Sequence, residues 1–162
     1  MSKKLVIDSS VLIVLSRRGK LEEYLKRRRY EGYEVLIPQA IARELIDEPR
    51  RLAEGIRQRS PTLASSILDS VEEIGAAIDH GLIKVVTVDY RKYSRVIGNV
   101  RRYLSRLEAE PEHAVKKGDP EILALVIQLY ERFNERVTVA TRDKGLLRVL
   151  RLFRDRVQFE VL

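Results

Sequence analysis

Short, unbroken apolar runs that stop at an acidic or turn-forming residue constrain this chain more than any other feature. Leu5-Val6-Ile7 stops at Asp8, and Glu34-Val35-Leu36-Ile37 stops at Pro38. Val137-Thr138-Val139-Ala140 gives way to Thr141-Arg142-Asp143. A strand with one wet face alternates apolar and polar residues. A strand without alternation is covered on both faces, the condition of a parallel sheet between helical layers. Residues 82–88 and 157–161 read as two further strands.

Helical periodicity fills the intervals. A helix over residues 11–18 stops at Gly19, with Ser9 and Ser10 as candidate caps, and a basic helix covers 20–30. Pro38 fits a first-turn position of the next helix, whose Ile41 and Leu45 face inward with Glu44 at their edge. Ser60-Pro61 opens a helix on which Leu63, Ile67, Val71, Ile74 and Ile78 recur at helical spacing. Another helix carries Val96, Val100, Tyr103 and Leu107. Residues 108–118 read as a loop, 120–133 as the most apolar helix and 144–152 as a short helix. This β-α-β-α alternation predicts an α/β fold with helices on both faces of a parallel sheet. Residues 1–162 read as a single domain, its middle helices forming an arm.

Four acids stand at the points where such a fold gathers its functional groups. Asp8, Glu44 and Asp143 lie at or just past predicted strand ends, and Asp119 opens the apolar helix of residues 120–133. Ligands of open α/β sheets bind outside the carboxyl ends of the strands. Each acid also has a local explanation: an Asx turn or cap for Asp8, Asp119 and Asp143, and a solvated helix face for Glu44. Those explanations do not account for the four together. Carboxylates collected at one edge repel one another unless a cation sits between them. Oxygen ligands with water in the remaining positions suit Mg²⁺ or Mn²⁺.

Composition removes the competing chemistries. The chain has no cysteine and only two histidines, His80 and His113. Thiol nucleophiles, disulfides and Cys-ligated zinc are therefore absent, and a histidine-based triad is disfavoured. No Gly-rich phosphate loop is present. A net charge of +7 favours a polyanionic partner. Arg17, Arg18, Lys20 and residues 26–29 form one basic tract. Arg91, Lys92, Arg95, Arg101, Arg102 and Arg106 form another, interleaved with Tyr90, Tyr93 and Tyr103. Lys116, Lys117, Arg142 and Lys144 flank two of the acids.

The segments Leu5-Val6-Ile7-Asp8-Ser9-Ser10-Val11-Leu12-Ile13, Ile37-Pro38 with Glu44-Leu45, Gly118-Asp119, and Val139-Ala140-Thr141-Arg142-Asp143 resemble, in order, the motifs of the PIN-domain family of metal-dependent nucleases. The resemblance is closest to its toxin-like ribonucleases. It implies a five-stranded parallel sheet in a doubly wound α/β/α sandwich, with a helical extension in the middle of this chain. It implies that Asp8, Glu44, Asp119 and Asp143 converge as catalytic acids on Mg²⁺ or Mn²⁺, with Asp8, Asp119 and Asp143 as metal ligands. Glu44 would orient water or act as base. Ser10 and Thr141 match supporting hydroxyl positions, and Arg142 and Lys144 are candidate RNA contacts. Implied partners are RNA, an antitoxin protein and a second copy of the chain in a homodimer. The expected compartment is the cytoplasm. Alternative readings are a non-catalytic RNA-binding scaffold and an RNA-processing nuclease without an antitoxin. Glu121 reads as a favourable charge at its helix N-terminus, Asp89 as an N-cap, and Asp47 and Glu48 as exposed.

Overall fold

The computed structural model of the chain describes residues 2–115 and 118–162. Five strands, β1 (Lys3–Ile7), β2 (Tyr33–Pro38), β3 (Lys84–Val86), β4 (Val137–Thr141) and β5 (Val157–Val161), form one sheet of order β3-β2-β1-β4-β5. Every neighbouring pair is parallel. The helices are α1 (Ser9–Arg17), α2 (Leu21–Tyr30), α3 (Gln39–Ala42), α4 (Glu48–Ile56), α5 (Pro61–Asp79), α6 (Tyr90–Glu108), α7 (Gly118–Phe133) and α8 (Lys144–Arg151). A π-helical turn, Arg43–Asp47, joins α3 to α4, and a 3₁₀ turn spans Glu112–Ala114.

The strand order explains the unbroken apolar runs. Leu5, Val6 and Ile7 lie on the central strand with no exposed surface. α1, α2 and α5 pack against one another, and α6 packs against both α7 and α8. Right-handed crossovers place these two sets on opposite faces. The path β1 to β2 to β3 walks toward one edge and β4 to β5 toward the other. The winding therefore reverses between β1 and β4, where a doubly wound sheet opens its crevice.

Local expectations need several corrections. Pro38 ends β2 and is the extended N-cap of α3, one position ahead of the helix. The cap of α1 is Asp8, and Ser9 and Ser10 are its first two residues. The third strand has three residues, because it is an edge strand paired only with β2. On α6 the buried stripe is Tyr93, Ile97, Val100 and Leu104, which leaves Tyr103 exposed. On α5, Leu63 is exposed and the small Ala64 is buried instead. There α4 and α5 pack closely, with Ala53 on the α4 side also buried. Small residues let the two backbones approach, and Leu52 and Leu63 are left outside. The 108–118 stretch includes the 3₁₀ turn rather than being irregular throughout.

Candidate active site at the carboxyl edge of the sheet

Asp8 follows the last residue of the central strand, and its N–H still pairs with the Ala140 carbonyl of β4 at 2.9 Å. It is 2% exposed. Its Oδ1 accepts from the Ser9 N–H at 2.8 Å. Its Oδ2 accepts from the hydroxyls of Ser10 and Thr141, each at 2.9 Å. Among the described residues every donor to Asp8 is neutral, and no Lys or Arg pairs with it. A buried carboxylate is usually paired with a cation. Among the described residues, hydrogen bonds rather than an ion pair orient the group.

Glu44 reaches the same place through helix geometry. It sits in the π turn, where the Glu48 N–H bonds five residues back to the Arg43 carbonyl. Pro49 supplies a reason: it has no N–H for Leu45, and its ring would press on that carbonyl in a regular α-turn. Widening the turn ahead of the proline relieves the contact, and such insertions are frequent at functional sites. Glu44 is half-buried. The Ser9 hydroxyl lies 3.4 Å from both Glu44 Oε1 and Asp8 Oδ1, a long, weak bridge between the two acids.

Thr141, fully buried, links Asp8 to the end of β4. Its hydroxyl donates to Asp8 and accepts from the Asp143 N–H at 3.0 Å. The Ser10 hydroxyl accepts from the Arg142 N–H at 3.3 Å. Asp143 caps α8, accepting from the Leu146 N–H at 3.0 Å through Oδ1. Its local explanation is therefore correct, and among the described residues only Oδ1 accepts a hydrogen bond. Arg142 and Lys144 are exposed on either side of it. A Cβ on Gly145 would meet Glu108 Oε1 at 2.7 Å and Asp143 Oδ1 at 3.2 Å. The last turn of α6 therefore ends against Asp143.

Asp119 lies inside the first turn of α7 rather than ahead of it, and is 4% exposed. α7 runs antiparallel to the strands. Glu121, in its first turn, meets α3 just past the carboxyl end of β2, and Phe133, its last residue, meets Lys4 near the start of β1. Asp119 thus belongs to the same edge as the other three acids. Among the described residues, however, no three acidic or histidine side chains close on one point. Lys116 and Lys117 lie outside the described residues.

Sequence reasoning undervalued Glu121. Buried at 7% exposure, it accepts from the Ala40 N–H at 3.2 Å and from the Tyr90 hydroxyl. It therefore satisfies an N-terminal donor of α3, the helix that leads into Glu44. Partial burial and the Glu121 carboxylate push the Tyr90 phenol up to about 12, so it stays a neutral donor. The available signal was an acid on a helix otherwise apolar on most sides. Asp89 caps α6 as expected, accepting from the Lys92 N–H at 3.2 Å. Asp47, Glu48, His80 and His113 are exposed.

The two basic tracts part company. Arg28 is only 9% exposed, ion-paired to Glu31 and Glu160 and stacked on Tyr33. Lys20, Lys26 and Arg27 also pair with glutamates. Tyr93 of the second tract is buried and donates to Glu131 at 2.5 Å.

A divalent ion suits this donor set. The acids present only hard oxygens, and Asp8 is buried with no Lys or Arg partner among the described residues. Mg²⁺ keeps several waters, so carboxylates need not all touch it. No helix among the described residues is long and apolar enough to cross a membrane.

The family model described as the halobacterial PIN domain matches residues 1–152. No curated protein matches the chain. PIN domains are in general nucleases that act on RNA and typically use divalent metals. With that match across most of its length and the doubly wound parallel sheet beneath it, the chain belongs to the PIN-domain family.

Proposed function

We propose that the protein is a divalent-metal-dependent endoribonuclease that hydrolyses phosphodiester bonds at the crevice between β1 and β4. One observation carries the reading. Asp8 is buried at the winding reversal, oriented by three hydroxyls, and tied through Ser9 to Glu44 and through Thr141 to Asp143. A buried carboxylate with no Lys or Arg partner among the described residues favours a bound cation.

Asp8, Asp119 and Asp143 would hold Mg²⁺ or Mn²⁺. The ion supplies activation of water and neutralisation of charge on the phosphate. Ser10 and Thr141 fix the Asp8 carboxylate and leave no freedom at its Oδ2. Glu44, half-buried and on a helix set by Glu121 and the π turn, orients the attacking water or takes its proton. Arg142 and Lys144, exposed beside Asp143, contact the RNA backbone.

The test is cleavage of labelled RNA and single-stranded DNA with Mg²⁺, Mn²⁺ or EDTA, alongside Asp8→Asn and Asp143→Asn. Metal-dependent cutting of RNA, lost in both variants while they stay folded by circular dichroism, is the expected result. Undiminished cutting in EDTA would refute the mechanism. RNA binding without cutting under any metal would instead favour the non-catalytic scaffold.

Membership of a toxin–antitoxin pair and a homodimeric state are finer readings of the same proposal. Exposed Leu52 and Leu63 on α4 and α5 support a protein contact there. Light scattering of the wild type beside Leu52→Lys tests the dimer. A small adjacent reading frame whose product blocks cleavage tests the toxin.

A further inference from the structure

We infer that the solvent face of α6 is the track along which single-stranded RNA reaches the acidic edge. The inference rests on the ribonuclease reading and assigns it a docking surface. Arg91, Arg95, Arg102 and Arg106 are separated by four, seven and four residues. At 100° per residue they fall on one line, opposite the buried Tyr93, Ile97, Val100 and Leu104. All four are exposed. The line is about 22 Å long at 1.5 Å per residue.

Three further observations select this face. The first is charge. α6 carries six cations against one carboxylate, Glu108, and of the six only Lys92 is ion-paired to a glutamate among the described residues, to Glu131 of α7. The second is the absence of internal neutralisation. Among the described residues, none of Arg91, Arg95, Arg102 and Arg106 pairs with an acid, and Arg102 bonds only to Asn99. The basic tract on α2 behaves oppositely, since Lys26, Arg27 and Arg28 are tied to Glu22, Glu31 and Glu160. A cation already paired must leave its partner before it can displace a polyanion's counterions, whereas a bare one displaces them directly. The third is direction. The last turn of α6 lies beside Gly145, two residues past Asp143, so the arginine line ends near the segment that carries this acid. Tyr103, 41% exposed beside the line, offers a ring on which an unpaired base stacks.

Arginines on one face of a helix hold phosphates and fix register without reading bases. The substrate class is therefore a flexible single strand, taken with little sequence preference by this surface. Selectivity would come from the crevice itself.

The test separates docking from cutting. Binding of a labelled, mixed-sequence single-stranded RNA is measured in EDTA between 50 and 200 mM salt. The proteins are the wild type, an Arg95→Gln/Arg102→Gln/Arg106→Gln variant and a Lys26→Gln/Arg27→Gln control. At ~0.7 counterion per phosphate contact, removing three contacts should lower the log–log salt slope by about 2. Binding at the low-salt end should weaken accordingly, and the control should match the wild type. Unchanged slope and affinity in the α6 variant, or an equal loss in the α2 control, would overturn the inference while leaving the ribonuclease reading to its own assay. A lowered slope in a protein that cuts nothing would uphold the track and remove the enzyme.

Discussion

Replacing Thr141 with valine removes one hydroxyl from a fully buried position and leaves the shape almost unchanged. The hydroxyl makes two bonds, one donated to the Asp8 carboxylate at 2.9 Å and one accepted from the Asp143 N–H at 3.0 Å. A hydrogen bond to a charged group contributes about 1.5–3 kcal/mol. The second contributes about 1 kcal/mol, since Asp143 is half-exposed and water can replace the lost acceptor. Thr141→Val should therefore destabilise the metal-free protein by about 2.5–4 kcal/mol, a fall in Tm of roughly 5–15 °C for a chain this size. Equilibrium urea unfolding in EDTA measures it, with Thr141→Ser as the control that keeps the hydroxyl and stays within about 1 kcal/mol of wild type. In a double-mutant cycle, adding Asp8→Asn should shrink the Thr141→Val cost, because the charged partner is gone. A Thr141→Val protein within about 0.5 kcal/mol of wild type would show that neither acid depends on this hydroxyl.

Glu160→Gln should cost about 1–2 kcal/mol in urea unfolding, less than the several expected for a fully buried pair, because a third of the Glu160 side chain is exposed. An unchanged midpoint would mean that Glu31 alone satisfies Arg28. The hydrogen bond from Lys4, with further help from Lys84 and Ser2, holds the Glu34 carboxyl below its ordinary value. A lowered folded-state pKa contributes stability above the ordinary carboxylate value of 4.5 and loses it as pH falls through the folded value. Glu34→Gln should therefore flatten the pH–stability curve below that point, and parallel curves for the two proteins would contradict the linkage.

Much of the architecture was legible because parallel strands announce themselves locally. Residues 5–7 have no polar side, so only a position between two helical layers suits them. The closing strand over residues 157–161 was bounded correctly, although it is an edge strand whose side chains are mostly part-exposed. The third strand was overestimated because an edge strand ends where its single partner ends, which no local pattern encodes. The stripe on α6 was misplaced because two candidate apolar lines share Val100. Only packing against α7 and α8 chose the one through Tyr93 and Leu104. Among the acids, Asp8 and Asp143 stand at the strand ends the sequence marks, and the hydroxyls of Ser10 and Thr141 hydrogen-bond to Asp8. Ser9 as the link to Glu44, and Glu121 as the support of α3, were not readable. They depend on contacts across 35 and 81 residues of chain.

By itself the sequence determined that hydrophobic segments would stack side by side under helices, with carboxylates at their carboxyl ends. Backbone pairing and apolar burial act over a few residues and leave a periodic trace. Tertiary structure alone decided which charges stay available. Arg28 and the α6 arginines look alike in the sequence, yet one is locked to Glu160 from 132 residues away and the others face water. Whether a cation is neutralised depends on what the fold brings within a few ångströms of it, and spacing along a chain carries no record of that distance.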